Sequence, residues 1–129
     1  MRFILAAVSA FVFLAGCTSL APTAHTYVVF FNAKSVELSP EAKEVVNLAA
    51  AAARDTHPAL VVIAGEPNTV TAPGYDPKLA EPRFIAVEQA LVAAGVDPNT
   101  LARAELTDLE AKVGATGDRR VEIRLVKNR

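Results

Sequence analysis

Three arginines are the side chains best suited to binding chemistry in this chain. Arg83 falls in the first turn of a predicted helix, where its positive charge opposes the helix dipole. This unfavourable position favours a ligand-facing role over that of an ordinary surface residue. Arg119 and Arg120 open a predicted strand and must point to opposite faces, so at most one reaches a given pocket and the other is expected to be solvated. The guanidinium fork of such a residue binds carboxylates through charge-assisted hydrogen bonds.

The first seventeen residues carry the pattern of an export signal. One cation at Arg2 precedes a run of 12 residues, 3–14, that is apolar apart from Ser9, and small residues follow. A transmembrane helix needs about 20 apolar residues, so this run is too short to remain in the bilayer as a span. The run ends in the letters LAGC, of which the last is Cys17, the only cysteine of the chain.

These four residues resemble the lipobox of bacterial lipoproteins, in which the cysteine receives a diacylglycerol and becomes the new N-terminus. The resemblance implies lipidation of Cys17; an ordinary signal peptide that happens to contain a cysteine is the alternative. Two or more acyl chains, at about 0.8 kcal/mol per buried CH₂, hold a protein stably on a membrane. By the same resemblance, Thr18 after the cysteine implies sorting to the outer membrane, with the domain facing the periplasm.

The sequence contains no recognisable motif of an enzyme, a metal centre or a cofactor site. There is no arrangement of serine, histidine and aspartate for nucleophilic catalysis, no phosphate-binding loop, and no free thiol once Cys17 is lipidated. His25 and His57 have no second ligand at metal-site spacing, so we expect both to be structural or exposed. The 13 lysines and arginines do not exceed the 14 acidic residues, which argues against nucleic-acid binding. The chain is therefore predicted to be non-enzymatic.

The mature chain alternates predicted strands and helices. Residues 17–26 comprise the lipidated N-terminus and a flexible tether, and 26–31 (TYVVFF) form a strand buried on both faces. Ser39, Pro40 and Glu41 provide a cap, a first-turn proline and an acid for a helix that ends at residues 57–58. Further strands are predicted at 59–64, 101–106 and 120–126, a second helix at 80–94 before Gly95, and a connector at 107–117.

This order, β-α-β-α-β-β, predicts an α+β fold in which a mixed four-stranded sheet carries its helices on one face. Both helices have apolar positions at helical spacing. The expected core positions are Ala42, Val45, Val46, Ala49, Ala52 and Ala53 in the first helix, Ile85, Ala86, Ala90, Leu91 and Ala93 in the second, and the phenylalanines Phe30, Phe31 and Phe84.

Three local motifs in this order resemble the OmpA-like domain of peptidoglycan-associated lipoproteins. Residues 28–46 (VVFFNAKSVELSPEAKEVV) resemble its opening strand, turn and proline-started helix. GEPN at 65–68 and YDPKLAEPRF at 75–84 resemble its loop and second helix start, with Asn68 and Arg83 at the family's spacing of fifteen residues between aspartate and arginine. DRRVEI at 118–123 resembles the start of its last strand.

The resemblance implies a site for diaminopimelate in the peptidoglycan stem peptide. In the family, an aspartate binds the ammonium and an arginine binds the carboxylate of this zwitterion. Arg83 matches that arginine, whereas Asn68 replaces the aspartate and leaves a weaker, neutral acceptor. Glu66 or Asp76 could return a carboxylate to the pocket, although a turn or cap role is the simpler interpretation of Asp76. The implied peptidoglycan-binding residues are Asn68, Arg83, Asp76 and Arg119.

These observations predict a signal peptide at 1–16, a lipidated tether at 17–26 and an OmpA-like domain at 27–127. The retained arginines favour a lipoprotein that binds peptidoglycan without a covalent bond and links the outer membrane to the cell wall. Asn68 favours the alternative, an OmpA-like domain that has lost peptidoglycan binding and docks proteins within an envelope assembly. The fold alone does not choose between these two functions.

Overall fold

The computed structural model of the protein describes residues 25–66, 76–106 and 119–127. They form four strands and two α-helices in the predicted order. The strands are β1 (His25–Phe30), β2 (Leu60–Gly65), β3 (Leu101–Glu105) and β4 (Arg120–Val126), and the helices are α1 (Pro40–Thr56) and α2 (Ala80–Ala93). Short 3₁₀ turns at Pro77–Leu79 and Pro98–Thr100 precede α2 and β3. The predicted connector at 107–117 lies outside the described residues.

The strands form one mixed sheet in the order β1-β4-β2-β3. Strand β4 pairs antiparallel with both β1 and β2, and β2 pairs parallel with β3. Strands β1, β2 and β3 therefore end at the same edge of the sheet, where β4 begins. We call this edge, marked by Phe30, Gly65, Glu105 and Arg120, the upper edge; both α-helices also begin there. The predicted α+β fold with a mixed four-stranded sheet is confirmed.

Both helices pack against one face of the sheet and bury a single apolar core. Val29, Val61, Ile63 and Ile123 from the strands lie in the same cluster as Val46 of α1 and Val87 and Leu91 of α2, and each is at most 1% exposed. The opposite face of β4 carries the charged residues Arg120, Glu122 and Arg124, as expected for a strand that alternates apolar and polar side chains.

Helix α1 begins and ends where its local sequence predicts. The Ser39 hydroxyl accepts a hydrogen bond from the Ala42 amide at 3.1 Å, and Pro40 occupies the first helical position. At the other end, His57 adopts the left-handed conformation (φ 45°) and donates its backbone N–H to the Ala53 carbonyl. The buried stripe matches the predicted one at Ala42, Val46, Ala49 and Ala53, and includes Ala50 in addition.

Ser39→Ala is expected to lower the free energy of unfolding by about 1 kcal/mol, because an N-terminal amide of α1 loses its side-chain acceptor. Denaturant unfolding of the full chain measures this loss. Ser39→Asp keeps a capping oxygen and should unfold close to wild type. Equal midpoints for the alanine and aspartate variants would show that the cap contributes nothing.

Two expectations about burial are wrong. Strand β1 is not buried on both faces, because both helices cover the face that carries Val29 and leave the face that carries Phe30 open. Phe30 is 49% exposed, while Phe31, just beyond the strand, is 3% exposed as expected. In α2, Ile85 is 38% exposed and Ala93 is also exposed. Leu91 and Phe84 are buried as expected, and Ala86 and Ala90 pack against the core. The stripe that α2 buries also includes Arg83 and Val87. This helix is apolar on nearly every side, so periodicity alone does not identify its inner face.

Candidate functional site

The upper edge of the sheet gathers the segments that carry most of the candidate residues. The segment 31–39 leaves β1 there and enters α1, the segment 66–79 joins β2 to α2, and the segment 106–119 joins β3 to β4. The described residues of these segments, 31–39, 66, 76–79, 106 and 119, are far apart in sequence but lie at one end of the molecule. Asn68 belongs to the second segment but lies outside the described residues, as does Cys17.

Arg83 is almost completely buried at this end, with 4% of its surface exposed. Its Nε donates a hydrogen bond to the carbonyl of Ser35 at 2.9 Å, and Nη2 donates to the carbonyl of Asn32 at 3.3 Å. The guanidinium carbon lies 5.4 Å from the centroid of the Phe31 ring. Arg83 thus attaches the first turn of α2 to the segment 31–39.

These contacts explain how a cation is accommodated at a helix N-terminus. Two carbonyl oxygens and an aromatic face surround the guanidinium group with negative potential, which offsets the unfavourable helix dipole. The sequence pattern suggested that this position serves a ligand. The structure adds that Arg83 organises the backbone of residues 32–35, and its contact with a ligand stays a prediction.

The two carboxylates considered as replacements for the family aspartate have other surroundings. Asp76 is exposed and caps the turn before α2, with its Oδ1 accepting a hydrogen bond from the Lys78 amide at 3.0 Å. Glu66 is 8% exposed and lines a cavity of about 360 Å³ between α2 and the ends of β2 and β3. The capping role that the sequence favoured for Asp76 is present, and a role in binding stays a prediction for both residues.

Arg103, the cation that lines this cavity, is already paired with acidic residues of α2. Arg103 forms ion pairs with Glu81 at 2.7 Å and Glu88 at 3.2 Å, and its guanidinium carbon lies 3.9 Å from the centroid of the Phe84 ring. The hydrogen bond with Glu81 raises the pKa of Arg103 above its ordinary value. Arg103 therefore serves to hold β3 against α2.

Arg119 and Arg120 have different environments, as the strand geometry predicts. Arg119 lines a second cavity, of about 280 Å³, between the end of β1 and the start of α1, and its backbone carbonyl accepts a hydrogen bond from the Phe31 amide. Arg120 is 9% exposed, and its Nε lies 3.2 Å from Oε1 of Glu122. The expectation that the second arginine of the pair is solvated is wrong, because an ion pair accompanies its burial.

The remaining sequence expectations concern metals and membrane spans. Both His25 and His57 are exposed, as expected. Within residues 25–66, 76–106 and 119–127, histidine, cysteine and acidic side chains form no cluster of three or more that could hold a metal ion. Over the same residues, no helix combines the length and apolar character that crossing a membrane requires.

Sequence comparison relates most of the chain to one family. The profile of the OmpA family matches residues 30–122. Outer membrane protein A of Bordetella avium is 30% identical over 106 residues, which cover 78% of this chain and 55% of that protein. The chain therefore spans about half the length of this relative.

Solved structures share the fold at low sequence identity. The OmpA-like domain of FopA1 from Francisella tularensis superposes with a TM-score of 0.61 at 19% identity, covering 77% of this chain and 70% of that one. The peptidoglycan-associated lipoprotein of Burkholderia pseudomallei gives 0.58 at 18% identity, with coverages of 75% and 87%. The periplasmic domain of Helicobacter pylori MotB gives 0.56 at 22% identity, with coverages of 78% and 69%.

Proposed function

The chain belongs to the OmpA family, and we propose that its domain binds peptidoglycan without a covalent bond. Domains of this family are structural and non-enzymatic, so the prediction that the chain is not an enzyme is confirmed. The observation that carries the proposal is the family match over residues 30–122, which includes Arg83 and Arg119. The name of the Burkholderia pseudomallei neighbour, a peptidoglycan-associated lipoprotein, supports it.

The proposal includes an anchor at the opposite end of the chain. Cys17 carries acyl chains in the outer membrane, the residues between Cys17 and the start of β1 at His25 form the tether, and the domain faces the periplasm. The export signal and the LAGC motif support this arrangement. With one end in lipid and the other on the cell wall, the protein links the membrane to the wall. Its partners are the outer membrane and the peptidoglycan stem peptide.

The proposed ligand within the stem peptide is diaminopimelate, whose free end carries an ammonium and a carboxylate. Arg83 and Arg119 supply positive charge for the carboxylate, and both lie at the upper edge of the sheet. Asn68 and Asp76 belong to the segment between β2 and α2, and their side-chain oxygens accept hydrogen bonds from the ammonium. These four residues are the proposed peptidoglycan-binding residues.

Co-sedimentation with purified peptidoglycan sacculi tests the proposed function. The full chain, purified in detergent, should pellet with sacculi and return to the supernatant when the free tripeptide L-Ala-γ-D-Glu-diaminopimelate is added. A protein that stays in the supernatant would contradict peptidoglycan binding. That result would favour the alternative, a domain that docks envelope proteins, for which the replacement of the family aspartate by Asn68 is the supporting observation.

Asn68→Asp is expected to tighten binding of the tripeptide about tenfold, because a charged acceptor holds an ammonium about 1 kcal/mol more strongly than a neutral one. The expectation requires that the segment between β2 and α2 keep the family geometry. Calorimetric titration of wild type and variant with the same tripeptide measures the gain. Unchanged affinity would mean that the segment is rebuilt around its prolines and that residue 68 does not contact the ligand.

A further inference from the structure

Strands β1 and β3 lie at the two ends of the sheet that the described residues form, and their free edges differ in composition. Strand β3 carries Arg103 and Glu105, charged side chains of the kind that keep edge strands from pairing with other chains. Strand β1, with the sequence HTYVVF, contains no lysine, arginine, acidic residue, glycine or proline. The edge of β1 is therefore the unprotected edge of this sheet.

The backbone of β1 directs every second residue away from the sheet. The Phe31 amide donates to the carbonyl of Arg119 at 2.9 Å, and hydrogen-bonded pairs alternate with non-bonded pairs along an antiparallel ladder. The odd-numbered residues of β1 therefore bond to β4. The even-numbered residues direct their N–H and C=O groups to the free edge, where no strand of the described residues pairs with them. These residues are Thr26, Val28 and Phe30.

The side chains of these three residues leave the edge accessible. They lie on the face opposite the helices; Thr26 and Phe30 are exposed and Val28 is half-buried. None of the three is charged, so two copies of β1 can approach without placing like charges opposite each other. The whole chain has a net charge of only −1 at pH 7, which keeps the general repulsion between copies small.

The three free positions match their own copies in an antiparallel arrangement. When Val28 of one copy faces Val28 of another, Thr26 of each copy faces Phe30 of the other, and every pair exchanges both N–H···O bonds. The facing side chains are then β-branched or aromatic, which are combinations that stabilise antiparallel strands. A shift by two residues in either direction would place one free position opposite a residue outside the strand. One register therefore uses the whole edge.

We propose that the edge of β1 is the interface of a symmetric dimer of this chain, in which two copies of β1 pair antiparallel with Val28 on the two-fold axis. The two sheets then join into one, and the helices of both copies lie on the same face of it. A second copy is favoured over an extended segment of another protein, because the two-fold pairing uses the free positions of both copies and closes both edges at once.

The dimer goes beyond the proposed function and does not depend on it, but the two are compatible. The two copies of His25 lie about 20 Å apart, at opposite ends of the paired strands. Residues 18–24 span about 23 Å when extended, so the proposed acyl anchors of both copies reach one bilayer. Anchoring in the same membrane raises the effective concentration of the copies and favours their pairing.

Sedimentation velocity of the full chain in detergent, with micelles in excess over protein, tests the dimer. Wild type should shift from monomer to dimer as its concentration rises. Val28→Pro removes an N–H that faces the free edge and that β4 does not use, so the variant should melt close to wild type but dimerise at least tenfold more weakly. Val28→Thr keeps the N–H and the β-branched shape, and as the matched control it should dimerise like wild type.

Cysteine crosslinking tests the register and does not depend on the folding of the proline variant. Val28→Cys places two thiols on the two-fold axis, where the α-carbons of a hydrogen-bonded pair are about 5.5 Å apart and within disulfide range. Mild oxidation should therefore give a covalent dimer. Thr26→Cys is the matched control and should give none, because its two copies lie about 14 Å apart along the strands. Wild type, oxidised in parallel, accounts for Cys17.

Three results would overturn the proposal. The first is a wild type that stays monomeric up to about 1 mM. The second is a dimer that Val28→Pro leaves unchanged, because another surface or a shared micelle would then hold the copies together. The third is equal crosslinking of Val28→Cys and Thr26→Cys, which would exclude the register. A wild type that dimerises through Val28 but does not pellet with sacculi would support the dimer and contradict only the proposed function.

Discussion

Arg83→Ala is expected to abolish retention of the protein on peptidoglycan sacculi. The side chain donates two hydrogen bonds to the carbonyls of Asn32 and Ser35, and these bonds fix the segment between β1 and α1. Without them, Asn32 and its neighbours no longer hold one wall of the cavity that contains Arg119. Arg83 is also one of the proposed peptidoglycan-binding residues. Both effects reduce binding in the same direction.

Loss of binding must be distinguished from loss of folding. Hydrogen bonds to a charged group contribute about 1.5–3 kcal/mol each, and a domain of this size is stable by about 5–15 kcal/mol, so the variant should fold but melt at a lower temperature. Lys78→Ala, which removes an exposed cation close to the same helix start, is the control and should bind and melt like wild type. A folded Arg83→Ala protein that pellets with sacculi as wild type does would remove Arg83 from the site.

Cys17→Ser is expected to release the protein from the membrane into the soluble periplasmic fraction. The apolar run before Cys17 has 12 residues, too few to span a bilayer, so acyl chains on the cysteine are the proposed anchor. Serine has a similar size but no thiol to receive the diacylglycerol. Fractionation of cells that express the wild-type or variant chain, followed by a high-salt wash of the membranes, measures the release.

Ser19→Ala is a matched control for this experiment, because it changes a hydroxyl two residues beyond the cysteine and leaves the thiol in place. It should stay with the membranes through the wash. A Cys17→Ser protein that also remains in the membrane fraction would contradict the lipid anchor and favour an ordinary signal peptide or another mode of attachment.

The elements with strong local signals could be predicted from the sequence. Helix α1 begins at Pro40, directly after the Ser39 cap, and its last turn closes at His57. Helix α2 ends shortly before Gly95, which has a φ of 95° and occupies the conformation that favours glycine. Strand β4 covers the alternating segment as predicted. In each case a few neighbouring residues determine the boundary, so no knowledge of the rest of the fold is needed.

Burial in β1 depended on strand order and on which face of the sheet the helices cover, neither of which the local sequence contains. The segment containing Phe30 has the composition of a buried strand, yet β1 pairs on one side only, with β4. The same limit applies to α2, where alanine, valine, leucine and isoleucine occur around the whole helix. The tertiary packing, rather than the periodicity, determines that Val87 faces the core and Ile85 faces outward.

The candidate site shows the same division between local and long-range information. The unusual position of Arg83 was visible in the sequence, but its carbonyl partners are 48 and 51 residues away. Glu41 was interpreted only as an acid that favours the helix start. It lines one cavity with Arg119, 78 positions along the chain, because β1 pairs with β4. A glutamate in the first turn is too common a feature to have identified it beforehand.

The most direct test of the proposed link between membrane and wall uses the lipidated protein in vesicles. The full chain, isolated with its acyl chains and reconstituted in phospholipid vesicles, is mixed with purified sacculi and centrifuged at a speed that pellets sacculi alone. The vesicle lipid should appear in the pellet, and the free tripeptide L-Ala-γ-D-Glu-diaminopimelate should return it to the supernatant. Vesicle lipid that stays in the supernatant while the protein is inserted and folded would contradict the link.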